Sequence, residues 1–163
     1  MSRLATIKLM KESMGFSAGH FTIFSNTSRS HLHGHNYQIA ISITTWVGDE
    51  GLSFDYRFYI EKCRLLCQYL DETVLIPSCS KHISINEKER YYHVYFSDEE
   101  MVFLKRDIKL LPVTNITVEE LSSWFIDQLK NEKDRLRQDQ ITSVDVQVFS
   151  GKGQSGGTYW EVA

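Results

Sequence analysis

The sequence predicts an α+β fold, an antiparallel sheet with helices packed on one face. Three observations carry this. Segments near both ends of the chain alternate apolar and polar residues with the period of a strand. Two stretches in the middle repeat apolar residues every three or four positions, the period of a helix. Strand pairs at both ends with helices between them suit one layer of sheet under one layer of helix. The 163 residues have the length of one ordinary domain, and 42% hydrophobic composition is enough apolar material for one core. The whole of 1–163 therefore reads as a single domain, with an irregular insertion at about 76–111 between the two helices.

Ile7 and Leu9 alternate with polar neighbours and start the first strand. Met14, Phe16, Ala18 and His20 then share one face of a second, and the polar stretch "TIFSNTSRS" follows as a loop. In Gln38–Thr44, Ile39, Ile41 and Ile43 point one way and Gln38, Ala40, Ser42 and Thr44 the other, the pattern of a half-buried antiparallel strand. Tyr56, Tyr59, Cys63, Leu66 and Leu70 then mark an amphipathic helix, with Asp55 as its N-cap. "LDETVLIPS" leads into the insertion, where "YYHVYF" is a short strand and "DEEMVFLKRDIKLLP" is ambiguous. The second helix spans "TVEELSSWFIDQLKNEKDRL", opened by a capping box of Thr117 and Glu120 and striped by Val118, Leu121, Phe125 and Leu129. Val144, Val146 and Val148 alternate in a further strand, "SGKGQSGG" turns the chain, and "TYWEV" forms the last strand.

Composition narrows the function. A net charge of −3 carries no electrostatic footprint for nucleic acid, and no Lys/Arg block suggests a membrane surface. The N-terminal "MSRLATIKLMKE" lacks the apolar stretch of a signal peptide, and no window nears the roughly 18 apolar residues of a membrane span. Three cysteines, Cys63, Cys67 and Cys79, are too few and odd in number for a disulfide framework, so a reducing cytoplasm is expected.

The chemistry concentrates in "RSHLHGHNY", Arg29–Tyr37. In an extended chain, alternate residues lie about 6.5 Å apart on one face, so His31, His33 and His35 together span about 13 Å. Three in a row do not share one ion, but an H-x-H pair with a third ring from the neighbouring strand does. His33 and His35 flank Gly34, and a hairpin through 21–32 brings His20 opposite the pair. Three neutral imidazoles leave a fourth position open on zinc, the pattern of a catalytic site.

These residues carry a resemblance. "FSAGHF" followed by "LHGHNY" resembles the 6-pyruvoyl tetrahydropterin synthase and 6-carboxytetrahydropterin synthase family. "GLSFDY", "LDETVLIP", "NITVEELSSW" and "VQVFSGKGQSGGTY" are similar to its later segments, in the same order, from about Ile7 to Tyr159. The resemblance implies a tunnelling fold (T-fold), with a four-stranded antiparallel sheet and two helices on one face. It also implies edge-to-edge assembly into a homohexamer, a dimer of trimers. It implies zinc on His20, His33 and His35, and a lyase that eliminates triphosphate from dihydroneopterin triphosphate or handles a related pterin. The zinc polarises side-chain oxygens so that protons on adjacent carbons become removable.

The chain departs from the family at three chemical positions. Arg29 stands where the family has a cysteine base, or Thr27 if the loop is registered differently. Glu72 replaces the histidine of an Asp–His pair, leaving Asp71, and Ser150 replaces the glutamate that grips the pterin ring. Arginine stays protonated and cannot act as a base. The expected substitutes are Asp71 and Glu72 as the acid–base pair, with Glu72 buried near the zinc, and Arg29, Thr117 and Ser150 as substrate contacts. The alternative is a zinc-retaining T-fold paralogue without lyase activity, used as a binding or assembly module. An unrelated metal-dependent hydrolase ranks lower, because no second carboxylate-rich metal motif is present.

Overall fold

The structure, a computed structural model, describes residues 2–162. Its organising element is β3, His33–Val47, a strand of 15 residues. One side of β3 pairs antiparallel with β9 (Ile141–Gly151) over Gln38–Thr45. The other side pairs first with β2 (Gly15–His20) and then with β1 (Arg3–Leu9), which lie end to end along it. β10 (Gln154–Glu161) extends the sheet beyond β9. β4 (Thr73–Pro77) and β8 (Ile108–Leu111) extend it parallel beyond β2. The sheet thus has seven strands rather than the expected four, and part of it is parallel. The sequence hides them because β4, flanked by strands on both sides, reads as a short apolar run without alternation, and β8, four residues at the sheet's edge, is too short to show a period.

Alternation along β3 decides which face is covered. Tyr37, Ile39, Ile41, Ile43, Thr45 and Val47 are buried, and the first four join Phe16, Ala18, Val144, Val146 and Val148 in one core. Helices α1 (Arg57–Leu70) and α2 (Val118–Lys130) pack on that face with Tyr59, Cys63, Cys67 and Leu70, and with Leu121, Trp124, Phe125, Ile126 and Leu129. α1 begins after Tyr56, one residue later than expected. The Asp55 carboxylate accepts the Arg57 backbone N–H at 3.0 Å and also holds the Arg57 guanidinium. The second helical stretch is two helices, because the chain breaks at Asn131–Glu132 and α3 (Lys133–Gln138) follows. α3 is tied to the core through Asp139, whose Oδ2 accepts from the buried Tyr59 hydroxyl and from Arg135 Nε, both at 2.8 Å. Burial and that hydrogen bond push the Tyr59 phenol well above its ordinary range.

The stretch expected to be irregular is ordered. β5 (Ile83–Lys88), β6 (Tyr91–Phe96) and β7 (Glu99–Leu104) form an antiparallel meander with a small core of its own. Val94 and Phe96 pack there against Phe21, Ile23, Ile76 and Ile108. Phe21 and Ile23 follow directly on β2, so the meander rests against the loop that leads to the histidines. Among the described residues, no helix is long and apolar enough to cross a membrane.

Candidate metal centre

β2 and β3 bring the three imidazoles together by register. His20 pairs directly with His33, and Ala18 with His35, so all three rings project from the helix-covered face at one end of the strands. Gly34 lets the strands approach closely, since a Cβ there would lie 3.2 Å from the Ala18 carbonyl oxygen. Ring centroids are separated by 4.6 Å (His20–His33), 4.9 Å (His33–His35) and 5.1 Å (His20–His35). One ligating atom from each lies within 4.8 Å of the others.

Hydrogen bonds set which nitrogen each ring offers. His20 Nδ1 donates to the Ile116 carbonyl at 3.0 Å, and His33 Nδ1 donates to the His31 carbonyl at 2.8 Å. A carbonyl can only accept, so in the neutral ring Nε2 keeps its lone pair in both cases. His20 is only 5% exposed, and its Nε2 has no hydrogen-bond partner. A buried nitrogen left without a partner is costly unless something occupies its lone pair. Nε2 of His33 and of His35 lie 3.1 Å apart, near the roughly 3.3 Å expected of two nitrogens on one tetrahedral zinc. Burial first, then the neighbouring His33 and His35, lower the His20 pKa from 6.5 to about 4, against the raising effect of the Ile116 carbonyl. Burial and then His33 lower that of His35 too. Neutral imidazole is the form a metal requires. The donor set, the tautomers and the orphaned nitrogen all fit a divalent ion such as zinc. His31 enters the site through its backbone carbonyl, and its ring is not one of the cluster.

The rings line a pocket of about 460 Å³, within the size range of small-molecule sites. Thr117 and Ser150 line it with them, together with Tyr37 and Glu119. Tyr37 is buried, stacks on Phe16 at 4.9 Å, and has its phenol pushed above the ordinary range by burial. Thr117 is the N-cap of α2, its side chain accepting the Glu120 backbone N–H at 3.3 Å. The Glu120 carboxylate reaches back past Thr117 to the Thr114 N–H and hydroxyl, so the capping box closes one turn early. Gly156 on β10 lets this helix start sit tightly on the sheet. A Cβ there would lie 2.8 Å from Val118 Cγ2 and 3.0 Å from the Glu119 nitrogen.

Three expected site residues are absent from this pocket. Arg29 was expected to contact substrate, but its Nε and Nη2 bind Glu99 Oε2 of β7 at 2.7 and 2.6 Å. Its guanidinium lies 5.1 Å from the Phe21 ring centre, so it is a buttress between loop and meander. Glu72, expected to be buried near the metal, is exposed. Asp71 and Glu72 sit at the outer edge of β2. Asp71 Oδ1 accepts the Ser17 N–H at 2.8 Å, and the Glu72 N–H donates to the Ser17 carbonyl at 2.8 Å. Glu72 lines an open groove with Ser17, Gly19, Gly34, Asn36 and His35, so of the three clustered rings only that of His35 borders it. It holds φ +57°, a conformation that a non-glycine residue adopts at a cost. Glu119, by contrast, escaped the sequence reading. It is the one carboxylate lining the metal pocket among the described residues. As a first-turn acid of α2, it reads in sequence simply as complementing the helix dipole.

Comparison with known proteins agrees with this geometry. The sequence profile of the family described as 6-pyruvoyl tetrahydropterin synthase matches residues 9–161. A Methanocaldococcus jannaschii protein named "Putative 6-carboxy-5,6,7,8-tetrahydropterin synthase" is 22% identical over 140 residues, covering 85% of each chain. Solved 6-pyruvoyl tetrahydropterin synthase structures superpose over nearly the whole chain. That of Plasmodium falciparum is 25% identical with a TM-score of 0.91, covering 98% of this chain and 99% of its own. That of Plasmodium vivax is 24% identical with a TM-score of 0.92 and the same coverage. The Caenorhabditis elegans enzyme, 14% identical, covers 99% of this chain and 97% of its own with a TM-score of 0.58. With its T-fold, its histidine cluster and a family match over almost its full length, the chain belongs to the 6-pyruvoyl tetrahydropterin synthase family.

Proposed function

We propose that this protein is a zinc-dependent lyase of the 6-pyruvoyl/6-carboxytetrahydropterin synthase type, acting on dihydroneopterin triphosphate or a related pterin. The observation that carries this reading is the buried, unpartnered His20 Nε2, grouped with His33 and His35 at a pocket of about 460 Å³. Zinc, when bound, supplies Lewis acidity toward oxygens on the ligand's side chain.

The chain's own residues divide the remaining work. Thr117 and Ser150 offer single neutral hydrogen bonds at the pocket wall. Glu119 offers the charged, two-oxygen edge that suits the amino and NH groups of a pterin ring, so it takes over the gripping role that Ser150 cannot fill. Asp71 and Glu72 serve as acid and base. They lie off the metal pocket of their own subunit, so they act on that of a neighbouring copy in a homohexamer built as a dimer of trimers. A carboxylate in such a role has a parallel. One Plasmodium vivax relative was solved as a catalytic-residue mutant in which the replaced residue is a glutamate.

The test is release of triphosphate from dihydroneopterin triphosphate by zinc-loaded protein. His20→Ala and Glu72→Gln should each be inactive alone. Mixed oligomers of the two should regain part of the turnover, because one intact metal pocket can then face one intact Glu72. Zinc and pterin binding without any turnover would overturn the lyase reading and favour the T-fold binding or assembly module.

A further inference from the structure

The three histidines are not equally secured. His20 is buried and anchored to Ile116 just ahead of α2. His35 lies within β3. His33 is exposed and is the first residue of that strand, so its ring depends on the loop before it. A continuous chain of hydrogen bonds runs back from that ring. His33 Nδ1 donates to the His31 carbonyl at 2.8 Å, and the Ser30 hydroxyl donates to the same oxygen at 3.2 Å. The Ser30 hydroxyl also accepts the Thr22 backbone N–H at 2.8 Å, and the Ser30 carbonyl accepts from Arg29 Nη1 at 2.9 Å. Arg29 in turn is held by Glu99 on β7. The Arg29 side chain is only 16% exposed, lies 5.1 and 5.9 Å from the Phe21 and Phe96 ring centres, and its residue bridges to Ile23.

We propose that the β5–β7 meander orients the metal ligand His33, with Glu99 and Arg29 as positioning residues acting through Ser30 and the His31 carbonyl. The inference rests on the reading of His20, His33 and His35 as a metal site. The physical argument is one of stiffness. A ligand ring held by one hydrogen bond to a loop carbonyl is only as well aimed as that carbonyl. The guanidinium is a planar fork that fixes direction as well as charge. It ties the loop at once to the Ser30 carbonyl and to Glu99 on the separate small sheet. An exposed ion pair would contribute little. This one is shielded on the arginine side by two aromatic rings and has a geometric role. In this chain Arg29 thus serves as a structural clamp.

The experiment compares wild type with Arg29→Ala and Glu99→Gln, the second being a mild change at a half-exposed carboxylate that leaves folding intact if the first does not. Zinc affinity is measured by competition with a chromophoric chelator, and histidine ring nitrogens are followed by long-range 1H–15N NMR on the zinc-loaded protein. Loss of an outer-shell partner typically weakens metal binding about 10–100-fold. At one link further out, the expected weakening is about tenfold, with the ring signals of His33 displaced and those of His20 in place. Unchanged affinity in both variants, or equal displacement of the His20 and His33 signals, would overturn the proposal while leaving the metal site standing. If wild type binds no zinc and His20→Ala behaves identically, the metal site itself fails and the clamp's proposed role fails with it.

Discussion

Replacing His20 by glutamine and following stability against pH, with a chelator present throughout, tests the buried imidazole directly. In the folded protein the His20 pKa lies at about 4 against an ordinary 6.5, lowered first by burial and then by the neighbouring rings. Between those values the unfolded chain binds a proton that the folded chain refuses. Unfolding free energy therefore rises with pH through that window, and the contribution is complete above pH 6.5. As pH falls from 7.5 to 4, wild type should lose about 3 kcal/mol through this residue, at about 1.4 kcal/mol per pH unit. Glutamine keeps a donor for the Ile116 carbonyl but does not titrate. Urea unfolding at half-unit pH steps should show the two stability curves converging by about 3 kcal/mol toward pH 4. The lowered pKa of His35 acts in the same direction in both proteins and drops out of the difference. Parallel curves would mean that His20 is protonated as readily in the folded protein as in the unfolded one. The buried, neutral, metal-ready imidazole would then be refuted.

Two further changes probe the pocket's support. Gly156→Ala places a methyl 2.8 Å from Val118 Cγ2 and 3.0 Å from a backbone nitrogen, so the start of α2 must shift. The expected loss is about 1–3 kcal/mol in chemical denaturation together with weaker pterin binding by calorimetry, and an unchanged variant would show that the helix start has room. Thr117→Ala removes the side-chain acceptor for the Glu120 N–H and should lower stability by about 1 kcal/mol, read as a shift of the urea midpoint at constant slope.

Much of this molecule is legible in local pattern. The alternation of Ile39, Ile41 and Ile43 marks a strand with one buried face, and the spacing of Leu121, Phe125 and Leu129 marks a helix that lies on it. His-Gly-His places two rings on one side of an extended chain, and the parity of residues 14–20 puts His20 on the matching side of its neighbour. These inferences hold because side-chain direction in a strand alternates strictly with residue number. The start of α2 was equally visible, since a threonine followed three residues later by glutamate satisfies helix-end donors locally.

Contacts between distant segments lie beyond such patterns. β4 and β8 carry no periodic signature, and only a parallel pairing across about thirty residues makes them strands of the main sheet. Nothing near Arg29 announces Glu99, 70 positions away, so an arginine in a polar loop reads as available for substrate when it is already engaged. Glu72 follows the helix that packs on the histidine face, yet its backbone contact with Ser17 holds it at the edge of β2, in a groove that reaches only His35 of the three rings. Glu119 looks like an ordinary first-turn acid until the close approach of Gly156 sets that turn against the metal pocket. The sequence alone determined the periods, the caps and the ligand spacing, because each depends on neighbours a few residues apart. The tertiary structure alone decided which charged groups face the histidine pocket, because that depends on which distant backbone each one meets.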